Sequence, residues 1–178
     1  MHPAPILLIT GVMAAGKSTV AQSIAEQLNP SVHLRGDVFR RMVTSGRVEM
    51  SAEPTPEALR QLHLRYEAAS QVAKLYSDAG FTVVYQDTII GEVLGQVVEL
   101  YRGHPLHVIV LCPRAEVVAQ RELGRDKTGY SHFTVEALQE VMRSTPRIGT
   151  WIDNSDQSVP ETCRAIRQRL EEARNAWH

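Results

Sequence analysis

Lysine is scarce in this sequence, cysteine is scarcer, and long apolar runs are missing. The 178 residues hold three lysines (Lys17, Lys74 and Lys127) beside 16 arginines, and only two cysteines. No apolar stretch approaches the roughly 20 residues that a membrane-crossing helix needs, so no membrane role is expected. The longest apolar runs, Pro5 to Ile9 and Val108 to Cys112, have the length of strands. Met1 to Pro5 lacks a basic region, which argues against a signal peptide. Cys112 and Cys163 make no CxxC pair and fall in apolar patterns; two reduced thiols in a cytoplasmic protein are the expectation. No HxxxH spacing points to a structural zinc, and His63 and His132 are read as ordinary core or surface histidines. The net charge of −1 offers no broad basic face, which disfavours nucleic acid as a partner. The arginine excess fits a bias of base composition.

What is present is an alternation of short apolar runs with longer helical patterns. Strands are expected at Ile6 to Thr10, Val32 to Arg35, Phe81 to Tyr85, Leu106 to Leu111 and Thr150 to Ile152. Helices are expected from about Lys17 to Leu28, Val38 to Ser45, Gly91 to Tyr101, Pro113 to Leu123 and Thr134 to Met142. A long helix opens at Thr55-Pro56 and stops at Gly80, with Leu59, Leu62, Tyr66, Ala69, Ala73 and Tyr76 as its buried stripe. Ser158 and Glu161 form a capping box for a last helix, whose inner face takes Cys163, Ile166, Leu170, Ala173 and Trp177. Gly46 to Pro56 is polar and carries two prolines, so an acceptor flap is placed at about 38–56. The glycine-bearing, charged GRDKTGYSH stretch, about 124–132, suggests a closing lid. No repeat or linker divides the chain, which reads as one domain over 1–178. Strands alternating with helices imply an α/β fold with a parallel sheet covered on both faces.

One motif is specific. Gly11, Val12, Met13, Ala14, Ala15, Gly16, Lys17 and Ser18 match G-x-x-x-x-G-K-[ST] between an apolar strand and a helix. At these residue frequencies a chance match arises about once per thousand such sequences. Gly11 and Gly16 permit backbone angles closed to other residues. Successive N–H groups, with the N-terminus of the following helix and Thr19, then face phosphate oxygens. Lys17 supplies a charge to the β- and γ-phosphates, and the Ser18 hydroxyl is placed to ligate Mg²⁺. Absence of N-K-x-D weakens a GTPase reading, and absence of GxGxxG rules against a dinucleotide. ATP with Mg²⁺ is the expected cofactor.

Two aspartates lie at strand ends, where open α/β sheets bind ligands: Asp37 in LRGD and Asp87 in VVYQD. Asp37 precedes the flap and is assigned general base and acceptor binding; Asp87 is assigned metal support and, with Thr88, acceptor binding. The two roles are exchangeable, and each aspartate could instead cap a helix. Asp153 reads as a turn. Arg121 and Arg125, one helical turn apart, lead into the lid and would stabilise transferring charge, unless they form only a solvated helix face. Arg40, Arg41 and Arg47 follow Asp37 and could orient an anionic acceptor.

The stretches GVMAAGKS, LNPSVHLRGDVFRR, VVYQDTIIG and VIVLCPRAEVVAQRELGRDKTGY resemble those of small bacterial P-loop kinases, among them chloramphenicol phosphotransferase and the tunicamycin-resistance proteins. The resemblance covers most of the chain. It implies a three-layer P-loop fold, a five-stranded sheet ordered 2-3-1-4-5, a lid after the fourth strand, and ATP-dependent phosphorylation of a small-molecule hydroxyl. It puts the catalytic base on Asp37, and Asp87 where those relatives carry a double aspartate and this chain has Gln86-Asp87. Nothing between Val43 and Thr55 identifies the acceptor; an antibiotic, in a resistance role, is the expectation. The alternatives are a kinase of a metabolite, nucleoside or nucleic-acid end, or a nucleotide-dependent drug-sequestering protein without turnover. The oligomeric state is left open.

Overall fold

The computed structural model describes residues 2–124 and 133–175. Five strands, β1 (Ile6–Gly11), β2 (Ser31–Arg35), β3 (Thr82–Gln86), β4 (Leu106–Leu111) and β5 (Thr150–Ile152), form one parallel sheet in the order β2-β3-β1-β4-β5. The helices are α1 (Lys17–Glu26), α2 (Gly36–Met42), α3 (Pro56–Asp78), α4 (Val93–Glu99), α5 (Ala115–Leu123), α6 (Val135–Arg143) and α7 (Val159–Asn175). All six residues of β1 are buried, as a central strand covered on both faces must be. This is the fold and strand order of P-loop kinases that the resemblance implies. No described helix is long and apolar enough to cross a membrane. Cys112 and Cys163 are both free thiols.

The register brings the strand ends together. Ile9 of β1 and Arg35 of β2 both stand opposite Gln86 of β3, and Gly11 stands opposite Leu111 of β4. The residues that come next, Gly36, Asp87 and the loop after Gly11, therefore emerge side by side at the carboxyl edge. Thr10 locks two of these exits: its hydroxyl donates to the Ile89 carbonyl (2.7 Å) and accepts from the Ile89 N–H (2.9 Å).

Three expectations shift. The buried line of α3 runs through Ala58, Tyr66, Ala69, Ser70, Ala73 and Ser77, whereas Leu59 and Tyr76 are 39% and 38% exposed. Small residues let this helix lie close to the sheet, and the two serines tolerate burial because their hydroxyls donate to Glu67 O and Ala4 O. A stripe drawn from hydrophobicity alone passes over both. Helix α2 starts at Gly36 instead of Val38, so Asp37 lies in its first turn and not in a loop. On α7, Cys163 and Ile166 are buried and Leu170 is half-buried, but only half of the Ser158–Glu161 box forms: Glu161 accepts from the Ser158 N–H at 2.7 Å, while the Ser158 hydroxyl donates to the same carboxylate instead of capping the Glu161 N–H. Trp177 and the Ala173 side chain lie outside the described residues, as do Arg125, Lys127 and residues 125–132 of the expected lid.

Candidate active site

The loop after β1 has the backbone its sequence demands. Gly11, Ala14 and Gly16 adopt φ of +142°, +60° and +93°, and Gly16 caps α1. A Cβ on Gly11 would stand 2.3 Å from the Leu111 carbonyl oxygen, so glycine is required there by space as well as by angle. Lys17 is buried, with its ammonium donating to the Gly11 (2.9 Å) and Val12 (2.7 Å) carbonyls, while Ser18 and Thr19 are exposed. Met13, Ala14, Gly16, Lys17, Ser18, Thr19 and Arg121 line a cleft of about 320 Å³. Of the two arginines expected at a lid, Arg121 thus reaches the phosphate loop from α5.

The far side of the loop is clamped by a residue outside the motif. The Ala15 carbonyl accepts from Asn154 Nδ2 (2.9 Å) and from Arg121 Nη1 (3.4 Å), and Arg121 Nη2 donates to the Asn154 carbonyl (2.9 Å). Asn154 is 3% exposed. It sits one residue past Asp153, which makes the expected turn by accepting from the Ser155 N–H at 2.9 Å.

The two aspartates differ sharply. Asp87 is 4% exposed and fully engaged: Oδ2 accepts from Arg65 Nε (2.8 Å) and the Tyr85 hydroxyl (2.9 Å), and Oδ1 from the Thr88 N–H (2.7 Å) and Arg65 Nη2. Such a bidentate pair in a buried setting fixes the carboxylate. Thr88 gives its N–H to Asp87 and its carbonyl accepts from the Tyr66 hydroxyl (3.1 Å), so its backbone is held from both sides. Sequence reading passed over Arg65, although an arginine among Leu62, Tyr66 and Ala69 on a helix face facing inward is itself a sign of a buried charge partner.

Asp37 is half-exposed and sits among arginines. Its Oδ1 accepts from Arg40 Nε (2.9 Å) and its Oδ2 pairs with Arg41 Nη2 (2.6 Å). Partial burial opposes its ionisation, but the Arg40 hydrogen bond and the charges of Arg40, Arg41 and Arg65 outweigh that and hold the carboxyl below its usual range. Arg40 also donates through Nη1 to both oxygens of Glu49 (2.6 Å each), and Glu49 pairs with Arg47 (3.0 Å). A second cavity, about 360 Å³, lies between α2, residues 43–50 and the first half of α3; Phe39, Met50 and Leu62 wall it, and Arg40, Glu49 and Arg65 supply its charge.

Gly36 joins the two aspartates physically. A Cβ there would fall 1.9 Å from Asp87 Oδ2, so the bare backbone of α2's first residue makes room for the Asp87–Arg65 pair. Gly36→Ala is expected to cost about 1–3 kcal/mol in urea unfolding, the usual penalty for overpacking. A variant as stable as the parent would show that Asp87 moves aside freely.

Among the described residues, no group of three His, Cys, Asp or Glu could hold a metal by itself. The Ser18 hydroxyl at the start of α1 is exposed to solvent.

The comparisons bear on the fold. Over 76 aligned residues the chain is 38% identical to a UPF0200 protein of Aeropyrum pernix; the alignment takes in 41% of this chain and 38% of that relative's length. Among solved structures, the APS kinase of Mycobacterium tuberculosis in complex with AMPPNP and APS superposes with a TM-score of 0.72 at 18% identity, covering 96% of this chain and 99% of that one. The tunicamycin resistance protein of Deinococcus radiodurans gives 0.67 at 17% identity over 94% and 95%. The model of the AAA domain family AAA_33 matches residues 6–147, and since these make up most of the sequence, the chain belongs to that family.

Proposed function

We propose that this protein is an ATP-dependent phosphotransferase that moves the γ-phosphoryl group to a hydroxyl of a small molecule. The observation that carries the reading is the placement of two cavities at one sheet edge. One is lined by the phosphate loop, Lys17 and Arg121; the other is reached by Arg40, the partner of Asp37, and by Arg65, the partner of Asp87. In this reading the loop amides and Lys17 bind the phosphates and Arg121 neutralises transferring charge. Ser18 would hold Mg²⁺, which when bound draws negative charge off the phosphoryl oxygens. Asp37, ionised at neutral pH and half-exposed, accepts the proton of the attacking hydroxyl. Asp87, its carboxylate engaged by Arg65, the Tyr85 hydroxyl and the Thr88 N–H, orients Arg65 and the start of α2 and would support the metal only through intervening groups. The acceptor in this proposal is an antibiotic of chloramphenicol or tunicamycin type, phosphorylated in the cytoplasm as a means of resistance. The fold likeness to a tunicamycin resistance protein supports that choice.

A γ-³²P transfer screen over antibiotics, nucleosides and sugar acids tests the reading, with Lys17→Met as the blank. Labelled product that is lost in Lys17→Met, by about a thousandfold or more if phosphate charge neutralisation rests on this side chain, is the expected result. Stoichiometric protection from a drug without any labelled product would mean sequestration and would defeat it.

A further inference from the structure

Resting on the phosphotransferase reading, we infer that Glu49 makes the second cavity selective for neutral alcohols with an apolar body and closes it to anionic acceptors. At about 360 Å³ the cavity is at the small end of ligand pockets, and its walls are mainly apolar, with Phe39, Val48, Met50 and Leu62 among them. Only two cations line it, and both are already paired with carboxylates. Arg65 is committed to buried Asp87 through two donors. Arg40 spends Nε and Nη2 on Asp37 and Nη1 on both oxygens of Glu49. Arg41 and Arg47, outside the lining, sit on the same carboxylates.

Glu49 thus occupies the place an acceptor's own carboxylate or phosphate would take on Arg40. It is held there by the backbone beside it: the Val48 N–H donates to Gln61 Oε1 (3.0 Å), and Gln61 Nε2 donates to the Gly46 carbonyl (2.9 Å). An anionic acceptor would have to displace Glu49 from two charge-assisted bonds or lie against it as a like charge, and both oppose binding. A neutral alcohol meets neither cost and gains by burying its apolar part.

A matched pair of probes isolates the charge: 3-phenylpropane-1,2-diol, which is neutral, and 3-phenyllactate, which carries a carboxylate on the same skeleton. Binding is read by saturation-transfer NMR without nucleotide, and phosphoryl transfer separately with labelled ATP. Wild type is expected to bind the diol and to bind phenyllactate at least about tenfold more weakly, the ratio one charge-assisted hydrogen bond supplies. Glu49→Gln, on an exposed loop residue, is expected to recover phenyllactate affinity by about the same factor. Phenyllactate binding wild type as tightly as the diol, no binding of the diol, or a Glu49→Gln variant with unchanged preference would each overturn the inference. Diol binding with the expected preference but no transfer to any acceptor would uphold the selectivity and sink the phosphotransferase reading instead.

Discussion

Asparagine in place of Asp37 is expected to lower phosphoryl transfer by roughly 10²–10⁴-fold, the usual contribution of a general base, while ATP affinity stays within a few fold. The separation of effects follows from position. Asp37 is in the first turn of α2 beyond β2, whereas the phosphate cleft is built from the loop after β1 and from Arg121. Asparagine keeps the shape and can still accept from Arg40, which also retains Glu49. A purely structural Asp37 would give the opposite signature, with thermal stability and nucleotide affinity falling together. The pH profile adds an independent readout. Because Arg40, Arg41 and Arg65 outweigh burial and depress this carboxyl, its proton-accepting form persists into mild acid. The acid limb of kcat/KM is therefore expected below the ordinary aspartate range. Arg40→Met, which removes the hydrogen bond and the nearest charge, is expected to move that limb upward. A limb near neutrality in the parent would assign the base to another group.

Much of this arrangement is legible in the sequence. The phosphate loop announces itself because its chemistry dictates residue types at fixed spacing, and the strand order follows from the family resemblance those motifs carry. The positions of Asp37 and Asp87 at neighbouring strand ends were also readable, since both close a short apolar run. Their environments were not. Whether a carboxylate is half-exposed among arginines or buried against one depends on which helix crosses the strand end, and Arg65 arrives from α3, 22 residues before Asp87 in sequence. Asn154 was hidden for a similar reason: DNSD reads as a turn, which it is, and nothing local reveals that the turn clamps Ala15 from 139 residues away. Sequence shows the cations of α2 more plainly than it shows Glu49 folding back onto Arg40.

The buried pair predicts the largest change in stability. Arg65→Met keeps the length and apolar stem of the side chain but leaves the Asp87 carboxylate, 4% exposed, with only the Tyr85 hydroxyl and the Thr88 N–H as donors. An uncompensated buried charge costs about 3–5 kcal/mol, which in a domain of this size lowers Tm by roughly 6–20 °C. The same carboxylate lies against Gly36, so the start of α2, and Asp37 with it, is expected to lose its fixed position and turnover to fall alongside stability. Adding Asp87→Asn to Arg65→Met removes the stranded charge and is expected to return most of the lost stability, since a buried ion pair is costly to break and cheap to replace whole. Turnover should not return with it, because the amide no longer has a guanidinium to orient. Urea unfolding of the two singles and the double closes this cycle. Additive losses in the double variant would mean that Arg65 and Asp87 act independently, and the carboxyl edge would then owe its order to the hydroxyl and backbone donors alone.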